Sequence, residues 1–131
     1  MMLIGVCLPH YGVTMEPLGM RPFAEHAEGL GYDSIWVTDH VIVPTELDVV
    51  YKRHMLDPLA TLAYLAGITK DVQLGTSVII LPYRNPITLA KELATVDALS
   101  GGRLLFGAAA GWMEGEFRTL NADFERRGDV G

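Results

Sequence analysis

Four times along this chain, an apolar run suited to a strand is followed by a segment with helical spacing. Leu3–Leu8 is the first run, closed by Pro9 with Gly12 just beyond. A continuous run of this kind suits a strand buried on both faces, as in parallel sheets. From Pro17 to Leu30 the period changes: Met20, Phe23, Ala24, Ala27 and Leu30 share one helical face, and Gly31 supplies the stop. Ile35–Thr38 is the second strand, and the irregular stretch 41–56 reads as a long loop. Asp57-Pro58 then opens a helix, because a carboxylate caps the first N–H groups and proline is well placed at the first helical position. Leu59, Leu62, Ala63 and Ala66 form its apolar face, and Gly67 lies near its end. Val72–Leu81 is the third strand, ended by Pro82, and Asn85-Pro86 repeats the cap-and-proline signal. Leu89, Ala90, Leu93, Ala94 and Val96 mark the next helix, and Gly101-Gly102 stops it. Arg103–Ala110 is the fourth strand, after which Met113, Phe117 and Leu120 have the spacing of one more helix.

Strands alternating with helices in this order predict an α/β fold with a parallel sheet and right-handed crossovers. Two architectures satisfy that pattern: an open doubly wound sheet, and a segment of a (β/α)8 barrel. In both, ligands meet the loops that follow the carboxyl ends of the strands. His10, Asp39-His40, the residues after Ser77, and Gly111-Trp112 therefore belong to one rim.

The length of 131 residues suits one domain, with 50% hydrophobic and 20% charged residues as in ordinary globular proteins. A net charge of −6 argues against non-specific binding to nucleic acid or to an anionic membrane. No apolar stretch approaches the ~20 residues of a membrane span, and no basic leader precedes an apolar signal region. The single cysteine, Cys7, excludes an internal disulfide framework and suits a reducing cytoplasm. Its place in an apolar run predicts a small buried hydrophobe rather than a reactive thiol.

The rim residues support several chemistries. His40 has the side chain best suited to exchanging a proton near neutrality; Asp39-His40 could equally be a capping acid beside a hydrogen-bonded structural histidine. Metal ligation is weakly indicated, since His10, His40 and His54 are scattered and no HxH, HExxH or CxxC spacing occurs. Gly107–Gly111 is a degenerate glycine-rich turn without the middle glycine of GxGxxG, and it follows the fourth strand rather than the first, so a dinucleotide fingerprint is not indicated. Its small residues allow a flat ligand or a neighbouring backbone to come close. Trp112 could stack on a ligand or cover the core, and Glu114, Glu116 and Arg118 read as a solvated helix face.

Three segments in order, "GYDSIWVTDHVIVPTE", "VQLGTSVIILPYRNPITLAKELATVDALSGGRL" and "GAAAGWMEGEFRTLNADFERRG", resemble the luciferase-like monooxygenase superfamily, and within it the coenzyme F420-dependent oxidoreductases. The similarity runs from about Leu3 to Gly128. It implies a (β/α)8 barrel, usually dimeric. A full barrel takes about 250 residues, so four parallel βα units ending at "RRGDVG" imply a single partial domain over 1–131: the N-terminal half of a TIM barrel, forming a homodimer when full length.

The resemblance also implies roles. Asp39 and His40 match an acid–histidine pair at the reactive edge of the deazaflavin, with the histidine handling a proton. Thr76, Ser77 and Val78 match a cofactor-supporting segment, with a non-prolyl cis peptide expected between Ser77 and Val78. Gly111 and Trp112 match the loop lying against the cofactor, and Ala109 stands where glycine is common. Some sugar-phosphate-oxidising relatives carry glutamate at the position of Trp112, which argues against that substrate here. The implied activity is cytoplasmic hydride transfer between coenzyme F420 and a small organic substrate. The alternatives are an FMN-dependent monooxygenase of the same superfamily, or an inactive half-barrel.

Overall fold

The computed structural model describes residues 2–11, 17–43 and 55–129. Gly12, most of the loop expected over 41–56, and His54 within it lie outside the described residues. The elements are β1 (Gly5–Cys7), α1 (Pro17–Gly29), β2 (Ser34–Val37), α2 (Pro58–Ile68), β3 (Gln73–Thr76), β4 (Ile79–Ile80), a 3-10 turn (Leu81–Tyr83), α3 (Pro86–Ser100), β5 (Leu104–Leu105), β6 (Ala108–Ala109) and α4 (Glu114–Thr119). One sheet has the order β1-β2-β3-β5 with every pair parallel, and β4 pairs in parallel with β6.

The local signals set the helix ends. Asp57 Oδ1 accepts the N–H groups of Leu59 and Ala60, both at 2.9 Å, and Asn85 Oδ1 accepts those of Ile87 and Thr88 at 3.0 and 3.2 Å. These bonds satisfy donors that the first helical turn cannot. Gly31 and Gly101 follow α1 and α3 with φ of 81° and 72°, where other residues are strained.

The third and fourth strands differ from the continuous runs expected. The third is divided at a cis Ser77–Val78 peptide into β3 and β4, and the fourth at Phe106-Gly107 into β5 and β6. At the break, Thr76 Oγ1 donates to the Gly107 carbonyl at 2.8 Å and accepts the Gly107 N–H at 2.9 Å, so one side chain replaces a rung of the ladder. Pairing resumes beyond it, with Ile79 opposite Ala108. Gly107 is required by this approach, since a Cβ there would lie 2.3 Å from the Thr76 carbonyl oxygen.

The helices cover one face of the sheet. Leu8 just past β1, with Ile35, Val37 and Leu74 from the strands, meets Met20, Ala24 and Ala27 of α1, Leu62 and Leu65 of α2, and Val96 of α3. Burial of such side chains contributes ~25 cal/mol per Å² of apolar surface. Helical spacing puts Leu30 on the apolar face of α1, but it lies past the helix end at 65% exposure; Ala90 and Ala94 of α3 are also exposed rather than core.

The opposite face carries Trp36, and its indole lies across both neighbouring strands. A Cβ on Gly5 or on Gly75 would fall 2.4 Å from indole atoms, so glycine on either side makes room for the ring. The indole N–H donates to Ser34 Oγ at 2.8 Å. Gly5 and Cys7 are exposed on β1, which corrects the expectation of a strand buried on both faces and of a buried thiol. The cause is coverage: the helices pack on one side, and nothing among the described residues covers Cys7 on the other.

Candidate functional site

The carboxyl ends of the strands converge on a cleft of about 480 Å³. Thr38, Asp39 and His40 after β2 form one wall, Ser77, Val78 and Ile80 a second, and Ala109, Ala110, Gly111 and Trp112 a third, with Tyr11 at the border. Six sequence-predicted site residues (Asp39, His40, Ser77, Val78, Gly111 and Trp112) thus share one site. Thr76 does not line it: it is 1% exposed and its hydroxyl is committed to Gly107. His10 is fully buried beneath the rim, its ring nitrogens 3.1 Å from the Leu8 carbonyl oxygen and 3.0 Å from that of Thr38.

Asp39 borders the cleft through its main chain. Its side chain is 0% exposed and accepts from Arg84 Nη2 at 2.7 Å, Arg84 Nε at 3.3 Å and the Ile80 N–H at 3.0 Å. Arg84 Nη2 also reaches Asp57 Oδ2 at 3.1 Å, so one guanidinium ties the end of β2 to the cap of α2. Burial pushes the Arg84 guanidinium down, but the bond and charge of Asp39, with those of Asp57, outweigh it and raise it above its ordinary value. Asp39 is therefore engaged in holding the rim together.

His40 is held by Glu116. His40 Nδ1 lies 2.8 Å from Glu116 Oε2, with side-chain exposures of 8% and 0%. Glu116 Oε1 also accepts the N–H groups of Val41 and Ile42, and Oε2 accepts the Tyr83 hydroxyl at 3.1 Å. Burial alone would raise the Glu116 carboxyl; the hydrogen bonds of His40, Ile42 and Val41 outweigh it and hold the group below its ordinary range. Burial, then the neighbouring Glu116 charge, raises the Tyr83 phenol. The expectation that Glu116 stands on a solvated helix face is corrected: only Glu114 and Arg118 stand in solvent, paired at 2.9 Å. The signal that distinguishes Glu116 is spacing. It is i+3 from Met113 and i−4 from Leu120, on the stripe that buries Met113 and Phe117. No pattern in the sequence marks Tyr83 or Arg84.

Gly111 has φ 82°, and a Cβ there would lie 2.7 Å from Ile80 Cγ2. The backbone can thus turn tightly into the cleft wall. Trp112 is 63% exposed and meets His40 edge to face at a centroid distance of 6.3 Å, so it does not cover the core. Thr38 Oγ1 is buried with no hydrogen-bond partner among the described residues. Among those residues no cluster of three or more His, Cys, Asp or Glu could hold a metal ion, and no helix is long and apolar enough to cross a membrane.

A parallel α/β rim thus holds a buried carboxylate–histidine pair beside small-residue walls, and comparison with known proteins gives the chain a family. Residues 3–130 match the luciferase-like monooxygenase family, and the chain belongs to it. It is 32% identical over 115 residues to the alkanal monooxygenase alpha chain of Photorhabdus luminescens, covering 88% of this chain and 30% of that one. It is 37% identical over 105 residues to the F420-dependent glucose-6-phosphate dehydrogenase of Amycolatopsis mediterranei, covering 77% and 30%. Among solved structures, the monooxygenase RslO1 of Streptomyces bottropensis superposes with a TM-score of 0.81 at 24% identity, over 98% of this chain and 39% of that one. The chain thus spans about a third of the length of these relatives. The four βα units are half of a (β/α)8 barrel, which decides between the two architectures left open by the alternation of elements.

Proposed function

We propose that the protein carrying these segments is an F420-dependent oxidoreductase that moves a hydride between a deazaflavin and a small organic substrate. The carrying observation is the meeting of His40, the Ser77–Val78 segment and the Ala109–Trp112 turn around one cleft. A planar ring fits the residues present: Ala109, Ala110 and Gly111 offer a low wall, Val78 and Ile80 an apolar one, and His40 a polar edge. When bound, the deazaflavin supplies the hydride chemistry. The chain supplies the proton: His40 takes it from, or returns it to, the substrate oxygen as the hydride leaves or arrives. Asp39 and Arg84 fix the wall on which His40 stands. In this reading Thr76 supports the ring only through the Thr76–Gly107 junction beneath it.

The 37% identity to an F420-dependent enzyme supports the deazaflavin. The 32% identity to an alkanal monooxygenase supports the second reading, an FMN-dependent monooxygenase using the same cleft. A fluorescence titration of the intact protein separates them. Saturable quenching by coenzyme F420 with none by FMN is expected, and the reverse order would replace the first reading by the second. We propose further that the intact protein is a homodimer, and that the 131-residue chain alone, with Met2, Leu3, Cys7 and Phe106 exposed, gives no saturable binding and no turnover.

A further inference from the structure

We infer that Glu116 is a positioning residue that fixes His40 as its Nδ1–H tautomer, and so assigns proton exchange to Nε2. The effect on turnover rests on the redox reading above; the tautomer does not. Four donors converge on this one buried carboxylate: the N–H groups of Val41 and Ile42 on Oε1, and the Tyr83 hydroxyl and His40 ring on Oε2. A proton on either oxygen would turn one of those donors away from a side chain that is fully buried. The depressed carboxyl agrees with this. An ionised carboxylate accepts only, so the hydrogen in the 2.8 Å contact belongs to His40 Nδ1. A neutral imidazole has one N–H, and its lone pair is then on Nε2.

The same carboxylate fixes where the ring stands. Glu116 Oε1 holds the two residues that follow His40, and Tyr83 approaches Oε2 from the turn after β4. Phe117, next along α4, packs edge to face on Tyr83 at 4.7 Å between centroids. The segments after β2 and after β4 thus meet helix α4 at one side chain 76 residues from His40. If His40 accepts the substrate proton, the new N–H forms at Nε2. The resulting imidazolium stays paired with Glu116 through Nδ1–H, so the charge created by the transfer lies against a fixed counter-charge.

Histidine-selective 15N labelling with long-range proton–nitrogen correlation tests this without turnover. His40 is assigned by the signal lost in His40→Gln, and spectra are recorded well above the ordinary imidazole range of ~6.5. The expected result is a protonated Nδ1 and an unprotonated Nε2 in the wild type, and a loss of that preference in Glu116→Gln, whose amide can donate as well as accept. An Nε2–H form in the wild type overturns the proposal, and so does an unchanged tautomer in Glu116→Gln. If Glu116→Gln fails to fold, the wild-type spectrum alone decides. In the intact protein, Glu116→Gln is expected to lower kcat by about 10²-fold at unchanged cofactor Kd; an unchanged kcat removes Glu116 from proton exchange. Failure to bind either F420 or FMN would refute the redox reading and leave the tautomer result standing.

Discussion

Replacing Asp39 by alanine should destabilise the chain by ~3–5 kcal/mol, the range for breaking a buried ion pair from one side. The structure says where that energy goes. Asp39 is 0% exposed at its side chain and accepts three hydrogen bonds, two of them from Arg84. Alanine leaves the buried Ile80 N–H without its acceptor, a loss of ~1–3 kcal/mol by itself. It also leaves a guanidinium only 15% exposed with Asp57 as its remaining partner, and the Asp57 side chain is 47% exposed. That second partner tempers the penalty, and the two losses share one side chain, so they do not simply add. Equilibrium unfolding in urea reads the result. With a slope of ~1–3 kcal/mol per molar, a loss of about 3 kcal/mol moves the midpoint by about 1–3 M. Asp39→Asn keeps an acceptor and should lose less, ~1.5–3 kcal/mol. Asp39→Ala with Arg84→Met removes the stranded cation and should be more stable than Asp39→Ala alone. A loss below ~0.5 kcal/mol in Asp39→Ala, the ordinary scale of a surface substitution, would refute this account of Asp39. So would a double variant less stable than Asp39→Ala alone.

Two glycines should respond in opposite directions. A Cβ added to Gly67 in α2 would meet nothing within 4 Å, and its φ is not positive, so Gly67→Ala should stabilise by ~0.5–1 kcal/mol; Gly107→Ala, whose methyl would meet a backbone oxygen at 2.3 Å, should destabilise, and thermal melts would order the two. Acid should weaken the chain through Glu116 and Glu28, both held below the ordinary carboxylate range; Glu28 is lifted by burial but held down by the N–H groups of Val72, Asp71 and Lys70. The unfolded chain binds more protons in that window, so this stability is full above ~4.3 and is lost as pH falls through the folded values. Glu116→Gln should flatten the acid limb of a stability–pH curve, and an unchanged limb would count against the pairing with His40.

What is legible in the sequence is what is local. Asp57-Pro58 and Asn85-Pro86 announce their helices because a cap and the donors it satisfies lie within three residues of each other. The rim can be placed for a similar reason: in a parallel α/β fold every strand delivers its carboxyl end to the same side, so His40 and Trp112 meet although 72 positions separate them in the numbering. The cis Ser77–Val78 peptide follows from the family resemblance, since nothing in those two letters requires it. The break at Gly107 is hidden because its cause is Thr76, 31 residues earlier, whose carbonyl oxygen leaves no room for a side chain. Cys7 is misleading because an apolar run shows that a residue can be buried, not that a neighbour exists to bury it.

Glu116 shows the same division within the site. Its letter reads as solvent, and its spacing from Met113 and Leu120 reads as core. The conflict is resolved by donors 33 to 76 residues away, which make burial of a charge tolerable. Chemistry-bearing groups such as His40 follow from residue type and strand order. The groups that hold them, Glu116 for His40 and Arg84 for Asp39, follow only from tertiary contact. A conflict between charge and helical register is therefore the physical signal by which such a supporting acid can be sought: a charged residue on a buried stripe must find its partners elsewhere in the fold.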